Sequence, residues 1–317
     1  MATWSEISEE IRNAGQGGQD IVRRRKLADL FQITNRPVIL YAVEMFNAGK
    51  INAAGGAVAI DLGDKDGFKE ALLGITGTSL DVILHSPGGS PEATESIVKL
   101  LRSRFTDIRF IIPNVVKSAA TMLAMSGDEI IVGLDAELGP TDPQMVINGR
   151  LNPAHAILQQ FKNARTDLSK NNQFLTAWLP ILQQYGPSLL VECQNAIKLT
   201  ETLVKQWLAA YMLKGQPRAA MKASVISKFL ANKNHLSHGR AIGVEELQQK
   251  GVKIKKAAEC TPDLSSIVQD IHIAVMQTFM TTGAFKIFEN HLGKGTYKVV
   301  APIMQLPIGP FPAGPRS

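Results

Sequence analysis

At 317 residues the chain is long enough to bury a full core, in one large domain or two modest ones. Its 45% apolar and 20% charged composition excludes disorder over most of its length, and the separated pair Cys193 and Cys260 excludes a disulfide framework or a cysteine-bound structural zinc. The net charge of +6 raises the question of an anionic partner.

The start, MATWSEISEE, is polar and acidic, unlike a secretory leader. No apolar run approaches the roughly 20 residues that span a bilayer. A cytoplasmic location without a membrane span is therefore expected. Residues 1–36 read as an N-terminal helical segment. They hold the most basic run, Arg23 to Lys26, with Glu6, Glu9, Glu10 and Asp20 close by. Those acids favour a solvated helix face over a nucleic-acid or membrane contact, so nucleic acid is disfavoured as a partner.

Residues 37–46, PVILYAVEMF, predict a buried strand with Pro37 at its edge. After a Gly-rich stretch, KEALLGI marks a helix. LDVILHS is a strand that ends in the turn Pro87-Gly88-Gly89. Ser90, Pro91 and Glu92 open a helix through about Arg104, with an N-cap candidate, a proline in the first position and an early acid. RFIIPNVV predicts one strand, SAATMLAMSG a short helix ending at Gly127, and DEIIVG another strand. This alternation within about 55 residues argues for an α/β domain with parallel pairing. Residues 153–237 differ: Leu175, Trp178, Leu179, Leu182 and then Leu203, Val204, Trp207, Leu208 recur at helical spacing, which predicts core helices with an oligomer face. Residues 238–301 read as a last αβ unit, with Gly251 as helix cap, followed by C-terminal helices. Residues 302–317, rich in proline and glycine, read as an extended tail.

Acyl transfer needs a nucleophile, a base and amide donors for the oxyanion. Ser118 follows one strand and opens the small-residue helix Ser118-Ala119-Ala120. Free N–H groups and the helix dipole favour negative charge there, and the Ala119 amide is a natural donor. The Gly88 and Gly89 amides, at the end of the preceding strand, supply the second. Two successive strand ends would thus meet, as at ligand sites of open α/β sheets. Alone, each element has a plainer reading: a serine at a helix start is usually a cap, and Pro-Gly-Gly usually only a turn.

At these residues the chain resembles the serine dehydrogenase proteinase family, a relative of ClpP and of the SppA signal peptide peptidases. The matching text is LDVILHSPGG (80–89), IIPNVVKSAATMLAMSGDEIIVG (111–133) and ELGPTDPQ (137–144), within a similar stretch of about residues 37–145. HGRAIGVEELQQKGVKI (238–254) resembles the family's last αβ unit. The resemblance implies an α/β fold of the ClpP/crotonase type: stacked ββα units, a catalytic core over 37–152 and an added helical region. It also implies Ser118 as nucleophile, Gly88, Gly89 and Ala119 as oxyanion donors, and a triad in the order Ser, Asp, His. Asp142 of GPTDPQ fits the Asp place, although it could equally cap its own turn. His238 is the choice for the base because it opens the last αβ unit. His155, His235, or a Ser/Lys dyad with Lys170 or Lys162 remain as alternatives. His85 is expected to pack locally, and His272 and His291 fall in stretches read as helical. Val116-Lys117 departs from relatives, which often carry a small or flexible residue before the nucleophile.

The reading is a serine hydrolase, a peptidase by resemblance, acting on peptide or protein substrates as a homo-oligomer. It requires no metal and no organic cofactor. A crotonase-type acyl-CoA enzyme and a non-catalytic assembly protein are the competing readings. No GxxxxGK[ST] motif is visible, so an unfoldase would be a separate chain.

Overall fold

The computed structural model describes residues 1–300 except 232–234 and 236. The tail assigned to 302–317 lies outside the described residues. Helices α1 (Trp4–Asn13) and α2 (Gly18–Thr34) lead into β1 (Val38–Val43), α3 (Ala48–Ala54) and α4 (Asp64–Ala71). Then come β2 (Ser79–His85), α5 (Pro91–Arg102), β3 (Asp107–Ile112), β4 (Val115–Val116), α6 (Ala119–Ala124) and β5 (Glu129–Val132). Three short strands follow: β6 (Glu137–Leu138), β7 (Gln144–Ile147) and β8 (Arg150–Pro153). The helical region is α7 (Ala154–Lys170), α8 (Leu175–Leu182), α9 (Leu189–Ala210) and α10 (Ala219–Leu230). The chain closes with α11 (Val244–Gln249), β9 (Ile254–Lys256), α12 (Ala257–Cys260), α13 (Pro262–Thr281), β10 (Ala284–Asn290) and β11 (Gly295–Val299).

Seven strands form one sheet in the order β11-β10-β1-β2-β3-β5-β9. β1, β2, β3, β5 and β9 run parallel, and β10 and β11 add an antiparallel edge. The central strands are buried on both faces, as continuous apolar runs in parallel sheets usually are. Alternate residues serve two cores. Tyr41, Val82, Leu84, Phe110 and Ile130 face the side of α4, α5, α6 and α9. Leu40, Ile83, Ile111 and Ile131 face α2 and α13. Side chains such as Ile97 and Leu101, fully buried on α5, contribute about 1.5–3 kcal/mol each by leaving water.

Three sequence expectations change. RFIIPNVV is two strands, because Pro113 cannot continue the ladder. The chain steps there from the main sheet to β4, which pairs with β6 in a second layer. Residues 284–299, expected among C-terminal helices, form the hairpin of β10 and β11, and His291 sits in its turn. The basic run is a solvated face only at Arg24 and Arg25. Arg23 is fully buried, with its Nε 2.7 Å from Glu289 Oε2 and its Nη1 2.8 Å from Thr278 Oγ1. Lys26 meets Asp270 at 3.1 Å, and Arg25 meets Glu10 at 2.5 Å. These cations are spent inside the chain, tying α2 to α1, α13 and β10.

Candidate active site

The site is assembled by short ladders at the C-terminal ends of the parallel strands. Ser86, just past β2, bridges in parallel to Val116 of β4. Lys117 N–H donates to Ser86 O at 3.0 Å, and Ser86 N–H to Val115 O at 3.2 Å. Parallel partners keep their register, so two residues onward Gly88 comes against Ser118. The fit is close: a Cβ on Gly88 would lie 2.7 Å from Ser118 Cβ and 2.8 Å from Ala119 N. Gly88 also has φ +96°, which an L side chain rarely adopts.

A second ladder brings distant residues together. β4 pairs with β6, and Leu138 of β6 bridges antiparallel to Ile242, whose N–H donates to Leu138 O at 2.7 Å. In an antiparallel pair, one strand advances as the other retreats. Asp142 lies four residues past Leu138 and His238 four before Ile242, so the two come opposite each other. Their side chains meet, with His238 Nδ1 2.9 Å from Asp142 Oδ1. Gln144 Nε2 donates to Asp142 Oδ2 at 2.9 Å, which holds the carboxylate from its other side. A carboxylate only accepts, so Nδ1 carries the proton and Nε2 is left as the acceptor.

Ser118 stands at the start of α6 with φ 52° and ψ −124°. That backbone is foreign to an N-cap, which is normally extended, and the hydroxyl makes no capping bond to its helix. A non-glycine residue held there costs on the order of 1–3 kcal/mol. By contrast Ser90 caps α5 in the ordinary way, accepting from Ala93 N–H at 3.0 Å.

Ser118, Gly88, Gly89 and His238 line one cavity of about 430 Å³. Its walls also carry Val58, Ala59, Met122, Thr141 and Leu151, and α9 covers it with Ala196, Leu199 and Thr200. The sequence reading missed these wall residues. The i, i+3, i+4 spacing of the α9 trio was the available signal, though it reads equally well as core. Thr141 is buried, and its hydroxyl has no partner among the described residues.

The amides divide differently from the expectation. Gly88 N–H is already engaged, donating to Ser86 Oγ at 3.2 Å. Gly88 O accepts from Ile60 N–H at 2.7 Å, and Ser90 N–H donates to Ile60 O at 2.9 Å. Among the described residues, the Gly89 and Ala119 amides have no such backbone or side-chain acceptor. Gly89 has no room for a side chain, since a Cβ would sit 2.2 Å from Ile60 N.

The other base candidates are placed elsewhere. His155 Nε2 lies 2.9 Å from Ala231 O, and His235 Nε2 lies 2.7 Å from Phe229 O. Lys162 and Lys170 are exposed on α7 and do not line the cavity. Lys117 turns away from Ser118, with its ammonium 2.9 Å from Glu137 Oε2 and 3.3 Å from Gly239 O. Among the described residues no group of three or more His, Cys, Asp or Glu side chains could hold a metal ion. Nor is any described helix long and apolar enough to cross a membrane.

A mixed sheet with a second layer of short strands at its C-terminal edge, and a strained serine facing a diglycine turn, define the ClpP-like class of α/β proteins. The chain belongs to the ClpP-like SDH-type serine proteinase family, whose pattern matches residues 74–263, more than half its length. Among curated proteins it is similar to uncharacterized protein MJ0137 of Methanocaldococcus jannaschii, 27% identical over 175 residues, 55% of this chain and 53% of the relative. It also resembles uncharacterized protein MJ1495 of the same organism, 37% identical over 82 residues, 26% of this chain and 27% of the relative. The matched stretches thus span about half and about a quarter of these relatives.

Proposed function

We infer that the protein is a serine hydrolase that cleaves peptide bonds, with Ser118 as nucleophile. The observation that carries this is a serine in a strained backbone, its hydroxyl unspent on its own helix, sharing a cavity with a histidine anchored by a carboxylate. His238 takes the hydroxyl proton at Nε2 as Ser118 attacks a carbonyl carbon, then returns it to the leaving amine. Asp142 holds the ring in the tautomer this requires. The Gly89 and Ala119 amides receive the oxyanion, and Gly88 contributes close approach rather than a donor. Water then releases the acyl group by the same steps in reverse order.

Family membership supports a peptide or protein substrate. The roof that α9 lays over the cavity suits an extended segment better than a folded surface. The apolar residues exposed on the helical region, Leu175, Leu179 and Val191 among them, support the homo-oligomer reading, and the location proposed is cytoplasmic.

Ser118→Ala tests the reading. Hydrolysis of an activated p-nitrophenyl ester, and of an unfolded protein substrate, is expected to fall by about a thousandfold or more, with the circular dichroism spectrum and Tm retained. Unchanged hydrolysis would remove Ser118 from the chemistry, and loss of folding would mark a structural serine.

A further inference from the structure

Next to the segment that clasps the diglycine lies a buried charged cluster that the hydrolytic chemistry does not use. Asp64, at the start of α4, and Lys286, on β10, are both fully buried. Lys286 Nζ donates to both Asp64 carboxylate oxygens, at 2.9 and 2.7 Å. Asp64 also accepts from Lys298 Nζ at 2.7 Å and from the Tyr41 hydroxyl at 2.8 Å. Removing two charges from water costs several kcal/mol each, so a buried pair of this kind is weak evidence of stabilisation. A cluster that costs stability invites the question of what its geometry holds in place.

Two arms converge on one residue, Gly88, the first of them from this cluster. In the first, Lys286 Nζ donates to Ala59 O at 2.7 Å. Ala59 lines the cavity, and its neighbour Ile60 clasps the diglycine through Ile60 N–H to Gly88 O at 2.7 Å and Ser90 N–H to Ile60 O at 2.9 Å. In the second, Ser86 Oγ accepts Gly88 N–H at 3.2 Å, while Asp64 holds the Tyr41 hydroxyl at 2.8 Å. The carbonyl of Gly88 is thus held by one arm and its amide by the other. With both sides of that residue fixed, the orientation of the next amide, Gly89 N–H, is fixed as well, because each peptide unit is planar.

We propose that Asp64, Lys286 and Ser86 are positioning residues for the oxyanion site, a buried clamp that aims the Gly89 amide at the carbonyl attacked by Ser118. None of the three is a catalytic residue. The cluster spans α4, β10 and β1, so the hairpin of β10 and β11, outside the family-matched stretch, becomes part of the active-site scaffold. A preorganised donor helps only where charge develops, so the clamp acts on turnover rather than on substrate affinity.

This inference rests on the hydrolase reading, and the test separates the two. Ester turnover and hydrogen–deuterium exchange are measured for wild type, Lys286→Met and Ser86→Ala. Each variant is expected to lower kcat about 10-fold or more with KM within twofold, because small misplacement of a reacting group is costly. Exchange is expected to quicken in the peptide covering 86–90 and to stay unchanged in α13. Ser86→Ala removes one hydroxyl and leaves every ion pair intact, so it decides the matter if Lys286→Met does not fold. Wild-type kcat together with unchanged exchange at 86–90 in Ser86→Ala would overturn the clamp while leaving the hydrolase reading standing. If the wild type itself hydrolyses nothing, the hydrolase reading fails. Exchange alone then decides: faster exchange at 86–90 supports a structural clamp, and unchanged exchange overturns it.

Discussion

Histidine is used in two opposite ways in this molecule. His238 is partly exposed on the cavity, and the Asp142 carboxylate accepts a hydrogen bond from its Nδ1. His85, at the end of β2, and His272, on α13, lie buried on the other face of the sheet, their ring centroids 5.6 Å apart. Glu44 lines a cavity with His272, but among the described residues His85 Nε2 and His272 Nδ1 have no hydrogen-bond partner. Burial disfavours the charged form, pushing His85 down to about 3 and His272 to about 4. The neighbouring ring adds to the depression at His85. Position in the fold, not residue type, separates a ring anchored at the cavity from rings kept neutral.

The largest expected break in that contrast comes at the anchored ring. His238→Ala, and Asp142→Asn, which would permit the wrong tautomer, should each lower kcat by about a thousandfold or more, with Tm little changed. Steady-state ester hydrolysis checks this. Equal losses in the double variant and in the single variants would mark the pair as one unit. If either variant keeps wild-type turnover, His238 and Asp142 are merely a surface ion pair.

A smaller effect is expected at the turn facing Ser118. Gly88→Ala forces an L side chain to φ +96°, with its Cβ 2.5 Å from Lys117 O. It should destabilise by about 1–3 kcal/mol from backbone strain alone and also lower turnover. Chemical denaturation and kinetics on the same preparation separate the two effects.

The effect that is smallest at neutral pH belongs to the neutral pair. Unfolded histidines take up a proton below about pH 6.5, whereas the folded rings resist it. Their contribution to stability is therefore complete above pH 6.5 and is lost as pH falls toward 4 for His272 and toward 3 for His85. Each adds a slope of up to about 1.4 kcal/mol per pH unit in its window. His272→Leu should flatten the Tm profile between pH 6.5 and 4 and leave ester turnover at neutral pH within twofold of wild type. An unchanged acid slope would show that other groups govern it.

What the sequence made legible follows from distance along the chain. Ser118 and the diglycine close two consecutive strands, so local pattern alone suggested that they meet. Asp142 and His238 are 96 residues apart, and the antiparallel bridge that brings them together involves a two-residue strand that no periodicity announces. Only the family resemblance singled them out. The Arg23 run was misread because its nearby acids suggested a solvated face. Its main partners, Glu289 and Asp270, lie more than 240 residues downstream. The hairpin of β10 and β11 escaped for a related reason: its place in the sheet is fixed by β1, far earlier in the chain.

The most direct measurement is covalent. Intact mass and peptide mapping after treatment with a fluorophosphonate would show whether one serine is activated. The account predicts a single adduct on Ser118, absent from Ser118→Ala and strongly slowed in His238→Ala. A folded wild-type protein that takes up no label, or takes it on another serine, would contradict it.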